Sequence, residues 1–163
     1  MEKKFRKNVG IILMNKDGLV LAARPAQSSQ DGTWQMPQGG IDEGETPLQA
    51  ARRELWEETG VKDTIFLKES PQKYSYLFPD WVQEIRKVRY PDDDYVGQEQ
   101  QWFLFLYNGK NVWDDIEKRT SQELIDFKWV DIQTLPDKVI PFKKEVYTAV
   151  VRDFSDIIQK SRS

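Results

Sequence analysis

The sequence has no cysteine and no histidine in 163 residues. Without cysteine there is no disulfide framework, no thiolate nucleophile and no zinc site of the cysteine type. Without histidine there is no Ser-His-Asp triad, no imidazole proton shuttle and no imidazole metal ligand. Catalysis, if present, must run on carboxylates, lysine, tyrosine, Ser/Thr or a metal ion held by oxygen. Long apolar runs are also missing. The N-terminus, Met1-Glu2-Lys3-Lys4-Phe5-Arg6-Lys7, is basic, but the run from Val9 to Met14 is too short for a signal-peptide core or a bilayer span. No membrane partner is expected, and cytoplasm is the expected compartment. Excess positive charge is absent too: 24 Lys+Arg face 27 Asp+Glu, for a net charge of −3. That argues against a nucleic-acid binder relying on bulk charge and leaves local basic patches as the only such route.

What is present fits one folded domain over 1–163. The length suits a single hydrophobic core, and six Trp, six Tyr and eight Phe need a packed interior or a binding cleft. Val9 to Asn15 reads as a buried strand, Lys16-Asp17-Gly18 as a turn, and Leu19 to Arg24 as the returning strand of a hairpin. Pro25 to Thr33 reads as a loop. Thr46 then offers a helix N-cap, Pro47 suits the first helical position, and Gly60 stands where a left-handed C-terminal residue belongs. Leu48, Ala50, Ala51 and Leu55 supply the apolar stripe of that helix. Strand patterns recur at Thr64–Leu67, Lys73–Phe78, Gln101–Tyr107 and Asp126–Asp131. From Lys143 to Lys160, Val146, Val150, Phe154, Ile157 and Ile158 stand at the spacing of a packed helix. The expected class is mixed α/β.

The helix from Thr46 to Gly60 violates its own local rules. Glu54, Glu57 and Glu58 stand at i, i+3 and i+4, so three carboxylates share one face and repel. They also crowd the last two turns, where the helix dipole already disfavours negative charge. Arg53 to Glu57 is one compensating i,i+4 pair. Such conflicts concentrate at functional sites, and clustered carboxylates without softer ligands suit Mg²⁺ or Mn²⁺. A solvated acidic face is the bland alternative.

The surrounding pattern decides against it. Gly39 is followed after five residues by Glu45 and after seven more by Arg53-Glu54-Leu55-Trp56-Glu57-Glu58-Thr59-Gly60-Val61. Residues 39–61 thus match the Nudix box, G-x5-E-x7-R-E-U-x-E-E-x-G-U with U apolar, at every specified position. At average residue usage such a match arises by chance in fewer than about 10⁻⁷ chains of this length. The chain therefore resembles the Nudix hydrolases. That resemblance implies an α/β/α sandwich with a mixed central sheet, a loop–helix–loop box, and divalent-metal-dependent attack of water on a phosphorus. Arg6-Lys7-Asn8-Val9-Gly10, Trp34 to Ile41, Gly97 to Leu104 and Pro141 to Tyr147 extend the likeness. They resemble the bacterial branch described as RNA pyrophosphohydrolase and as diadenosine tetraphosphate hydrolase. Met36 and Asp42-Glu43-Gly44-Glu45 look most like alphaproteobacterial members.

Roles follow from the resemblance position by position. Glu57 and Glu58 resemble metal ligands, Glu54 a ligand or the general base, and Arg53 the residue that orients them by charge-assisted hydrogen bonds. Gly39 and Glu45 resemble loop-shaping positions, with main-chain carbonyls there as further ligands. Glu123, six residues before Trp129, is the candidate acid from outside the box. Phe142 with Lys143 offers an aromatic face beside a cation for a nucleotide, and Arg6, Arg24 and Tyr76 are candidate phosphate contacts. Arg86-Lys87-Arg89, followed by Asp92-Asp93-Asp94, reads as a solvated charged loop. The Pro25–Thr33 loop, long for the branch, is expected beside the pocket mouth. Expected partners are a 5′-triphosphate or 5′-diphosphate RNA end or, alternatively, a dinucleoside polyphosphate. The resemblance also leaves room for a stimulating protein partner. A non-catalytic nucleotide-binding module of the same fold is the competing class, and it is disfavoured because all three box glutamates are present.

Overall fold

Alternation along one strand builds both faces of the molecule. In the structure, a computed structural model describing residues 3–162, strand β1 (Lys4–Met14) sends Val9, Ile11 and Leu13 to one side and Ile12 and Met14 to the other. This is the period-two geometry of a strand buried on both faces. Its parallel neighbour β6 (Tyr95–Tyr107) does the same, with Phe103 and Phe105 on the first side and Trp102 and Leu104 on the second. Met1 and Glu2 of the basic N-terminus, Ser163 and the side chains of residues 28–30 lie outside the described residues.

The hairpin expected after β1 is present. Asn15 accepts from the backbone N–H groups of Asp17 and Leu19, both at 3.0 Å, and turns the chain into β2 (Val20–Pro25). With β3 (Gln38–Gly40), β4 (Thr64–Glu69), β5 (Tyr74–Leu77) and β7 (Leu124–Val130) the sheet has seven strands. The order is β4-β6-β1-β2-β7, with β3 paired to β1 and β5 to β6. Only β1 and β6 pair in parallel among the described strands, so the sheet is mixed.

Helix α1 (Pro47–Thr59) lays Ala50, Ala51 and Leu55 on the first face. Later in the chain, α3 (Val112–Glu117) adds Val112 and Ile116 to the same layer, and α4 (Lys144–Lys160) covers the opposite face with Val146, Val150, Phe154 and Ile158. At about 1.5–3 kcal/mol for each large apolar side chain fully buried, these stripes and not intrinsic propensity hold the helices in place. The result is the α/β/α sandwich.

Two expectations need correction. The basic run 86–89 is not a loop but the last turn of α2 (Asp80–Arg89). Asp80 in the first turn and Arg86, Lys87 and Arg89 in the last all oppose the helix dipole favourably, and Arg86 pairs with Asp93 at 2.6 Å, which ties down the acidic stretch that follows. The Pro25–Thr33 segment contains a 3₁₀ turn, Ala26–Asp31. Further 3₁₀ turns at Ile132–Asp137 and Pro141–Lys143 and the short α3 carry too few residues to leave a periodic signal.

Candidate active site

The pairing of β3 with β1 brings the start of the box to the sheet and α1 back across it. Gly39 pairs with Val9 and Gly40 with Asn8. Thr46 caps α1 reciprocally with Gln49: the Gln49 N–H donates to the Thr46 hydroxyl at 3.1 Å, and the Thr46 N–H donates to the Gln49 carboxamide at 2.9 Å. Such a cap contributes about 1 kcal/mol. At the other end Gly60 takes φ 75°, and a Cβ there would also fall on the Asp115 carbonyl. Both expected helix ends are therefore confirmed, and between them the glutamates are held in fixed register.

Arg53 organises those glutamates. Its Nε donates to one Glu45 oxygen at 2.7 Å and Nη2 to the other at 3.0 Å. Nη1 donates to Glu54 at 2.8 Å and to Glu57 at 3.2 Å, and Nη2 also reaches the Gly40 carbonyl at 2.8 Å. One fork thus locks the loop to the helix and orients two acidic side chains. The Glu45 side chain in turn accepts from the Asp42 N–H at 2.9 Å, closing the acidic turn. Glu58, only 2% exposed, accepts from the Gln38 N–H at 3.1 Å.

Glu54, Glu57 and Glu58 face a cleft of about 340 Å³ together with Gly39, Arg6 and Glu123. Glu123 reaches it because its segment is pinned twice. The backbone N–H groups of Thr120 and Ser121 donate to the Glu57 carbonyl at 3.2 and 2.9 Å, and the Ala26 N–H donates to the Glu123 carbonyl at 2.8 Å. Burial pushes the Glu54 carboxyl up to about 7; Arg53 pulls it down, and the charges of Glu57 and Glu123 push it further up. Burial likewise holds Glu58 well above the usual carboxylate range, reinforced by Glu54 and Glu123. Glu45 lies below its ordinary value because Arg53 donates to it.

The donor set fits a hard divalent cation. It offers four carboxylates and no softer ligand, and mutual repulsion is the frustration that a cation relieves. A Cβ at Gly39 would fall on the Glu54 carboxylate, so the backbone there is pressed against the acids as only glycine allows. Among the described residues no three acids converge on a single point, and Arg53 holds Glu54 and Glu57.

Not every residue singled out in the sequence reaches this cleft. Arg24 is elsewhere, its guanidinium 3.5 Å from Asp126 and over the Trp34 ring at 5.9 Å. Tyr76 is buried in the core, its ring 5.5 Å from Phe142, so it supports that side chain and does not reach into the carboxylate cleft. Lys143 lies over the rings of Tyr76 at 5.7 Å and Phe142 at 6.0 Å. Burial pushes its ammonium down to about 8, opposed by the charge of Glu58.

Sequence reasoning missed Arg86, Tyr90 and Gln38, which also line the cleft. Arg86 lies in the last turn of α2 and Tyr90 caps its C-terminal end, positions that a helical reading of 80–89 would have brought to one side. A second cavity of about 370 Å³ adjoins the first and shares Gln38, Glu58 and Glu123 with it. Pro25, Ala26 and Gln27 wall this cavity, so the 25–33 segment does lie beside the pocket mouth.

Comparison with known proteins shows the family. A family model described as the NUDIX domain matches residues 4–150. A protein named RNA pyrophosphohydrolase from Erythrobacter litoralis is 41% identical over 157 residues, spanning 95% of this chain and 93% of that protein. A protein of the same name from Wolbachia pipientis subsp. Culex pipiens is 39% identical over 160 residues, spanning 98% and 95%. Among solved structures, the Escherichia coli dihydroneopterin triphosphate pyrophosphohydrolase superposes with a TM-score of 0.67 at 17% identity, over 94% of this chain and 99% of that one. A Caenorhabditis elegans Ap4A hydrolase in a binary complex gives 0.66 at 18%, over 95% and 98%. At those identities the structural likeness speaks for the fold alone.

Proposed function

The chain belongs to the Nudix family, and from that premise we propose that it is an RNA 5′-pyrophosphohydrolase. The reaction removes pyrophosphate from a 5′-triphosphate end, or phosphate from a 5′-diphosphate end, and so prepares the transcript for decay. The observation that carries this reading is the cleft lined by Glu54, Glu57, Glu58 and Glu123, two of which, Glu54 and Glu57, are held by Arg53. The relatives named RNA pyrophosphohydrolase, about 40% identical over nearly the whole chain, support the choice of substrate.

Glu57, Glu58 and Glu54, with a main-chain carbonyl near Gly39, would hold Mg²⁺ or Mn²⁺. Bound there, the cation neutralises charge on the phosphate chain and acidifies water. Glu54, in the same cleft, is the group placed to take the proton as water attacks phosphorus and the anhydride oxygen leaves. Arg53 keeps Glu54 and Glu57 in place while charge shifts around them. Arg6 and Arg86, on opposite elements of the cleft, supply positive charge to the phosphate chain. No covalent intermediate is needed, which suits a chain without cysteine or histidine. Phe142 and Lys143 are proposed to receive the nucleotide. No helix is long and apolar enough to cross a membrane among the described residues, and cytoplasm is the proposed compartment.

The deciding experiment is product analysis on 5′-triphosphate RNA and on diadenosine tetraphosphate, side by side with Mg²⁺. Faster release of pyrophosphate from the RNA supports the proposal. Preferential cleavage of the dinucleotide would assign the cleft to dinucleoside polyphosphates instead.

A further inference from the structure

Helix α2 carries an apolar stripe that is largely open to solvent: among the described residues Trp81 meets Phe142 edge-on at 6.2 Å yet stays half exposed, and Ile85 and Val88 are exposed beside it. Trp81, Ile85 and Val88 stand at i, i+4 and i+7, within one narrow arc of the helix, and are 53%, 56% and 86% exposed. No residue of α2 is buried. Its inner side instead packs Val82 against the core and points Arg86 and Tyr90 at the cleft. Three large side chains aligned in water on one short helix differ from scattered surface apolar residues, which need no explanation.

The charges around the stripe say what covers it. Asp80 and Glu84 occupy the first half of α2, and Lys87 and Arg89 the second. Among the described residues Asp80, Glu84, Lys87 and Arg89 form no ion pair. Two such helices laid antiparallel about a twofold axis through Ile85 are self-complementary. Trp81 then meets the partner's Val88, and Glu84 comes beside the partner's Lys87, twice over by symmetry. A polyanion along the same stripe would instead meet the repulsion of Asp80 and Glu84.

We infer that Trp81, Ile85 and Val88 of α2 form a self-association face on which a second copy of this chain docks antiparallel. A ten-residue helix is about 15 Å long and covers less than a standard interface, so the dimer is weak and depends on concentration. Arg86, on the cleft-facing side of α2, lies off the docking face, while Trp81 borders Phe142.

The test is sedimentation equilibrium from about 1 µM to 1 mM, the range in which weak association shows, with circular dichroism to verify the fold of each variant. The wild type is expected to approach twice the monomer mass, and Ile85→Glu to weaken association at least about tenfold. Glu84→Lys and Lys87→Glu are each expected to weaken it alone, whereas an equimolar mixture of the two recovers it, because both unlike pairs re-form across the mixed interface. A wild type that stays monomeric throughout overturns the inference. So does a dimer indifferent to Ile85→Glu, or single variants whose mixture recovers nothing. A monomeric wild type whose affinity for a single-stranded RNA oligonucleotide falls in Ile85→Glu would reassign the stripe to RNA and likewise overturn it.

Discussion

Arg53 holds Glu45 with two nitrogens at 2.7 and 3.0 Å while a third donates to Glu54 at 2.8 Å. The loop that starts the box and the helix that carries its acids are thus joined through one planar group. Lysine can supply the charge but not the fork. Arg53→Lys is expected to lower kcat by about 100-fold or more, the scale on which misplaced catalytic groups act, with a much smaller change in KM. Steady-state kinetics on triphosphate RNA reads both. An equal loss in KM alone would show that Arg53 serves binding and not the placement of Glu54.

A Cβ at Gly39 has nowhere to go except into the Glu54 carboxylate. Gly39→Ala is therefore expected to displace Glu54 and nearly abolish turnover, while the helix, held by its caps and by Leu55, stays folded. Thermal melting should show a loss of only about 1–3 kcal/mol, the usual cost of overpacking. A variant with wild-type kcat would mean that β3 moves aside without cost.

How much of this was legible in the sequence depends on where each signal lives. The box is local: Gly39, Glu45 and Arg53 to Gly60 lie within one loop and one helix, so spacing alone grouped Glu54, Glu57 and Glu58. Glu123 was found because its offset from Trp129 survives as a short-range pattern. The other cleft residues depend on packing between distant segments. Tyr76 was indistinguishable from a surface strand residue until β5 was seen to pair with β6 and bury it. Arg24 looked available until Asp126, about a hundred positions later, was found beside it. Arg86 was hidden because the acidic run Asp92–Asp94 masked a helix most of whose apolar positions, Trp81, Ile85 and Val88, face outward, with only Val82 against the core.

Removal of divalent cations is expected to abolish turnover, and restoring Mg²⁺ or Mn²⁺ to return it. Independently of activity, saturating Mg²⁺ should raise Tm of the wild type, since a ligand that binds only the folded chain stabilises it. Glu57→Gln removes one carboxylate from the cleft and gives up only its ion pair with Arg53, whose bonds to Glu45 and Glu54 remain. It is expected to fold, to lose turnover by orders of magnitude and to show little of the Mg²⁺-dependent rise in Tm. Unchanged Mg²⁺-dependent turnover in that variant would remove Glu57 from the site.

Lys143 gives a pH dependence whose sign can be worked out. Burial holds its folded-state value at about 8, below the 10.5 of a free lysine. Below pH 8 the folded protein carries a buried, partly compensated cation, and that cost is fully present. Between about 8 and 10.5 the unfolded chain binds more protons than the folded one, so stability gained from this group rises with pH across that window. Lys143→Met removes the cation and keeps the aliphatic stem. It is expected to raise Tm by at least about 2 °C at pH 7, the order of shift that 1 kcal/mol makes in a chain of this size, with the gain shrinking to nothing by pH 10.5. Substrate binding should move oppositely, because the same ammonium is proposed to meet the nucleotide: KM rises in Lys143→Met at pH 7 and converges on the wild type above pH 8. Melting curves and KM measured across pH 6.5–10.5 test both halves, and a Tm difference independent of pH would show that Lys143 titrates alike in the folded and unfolded chain, so that burial does not push its ammonium down.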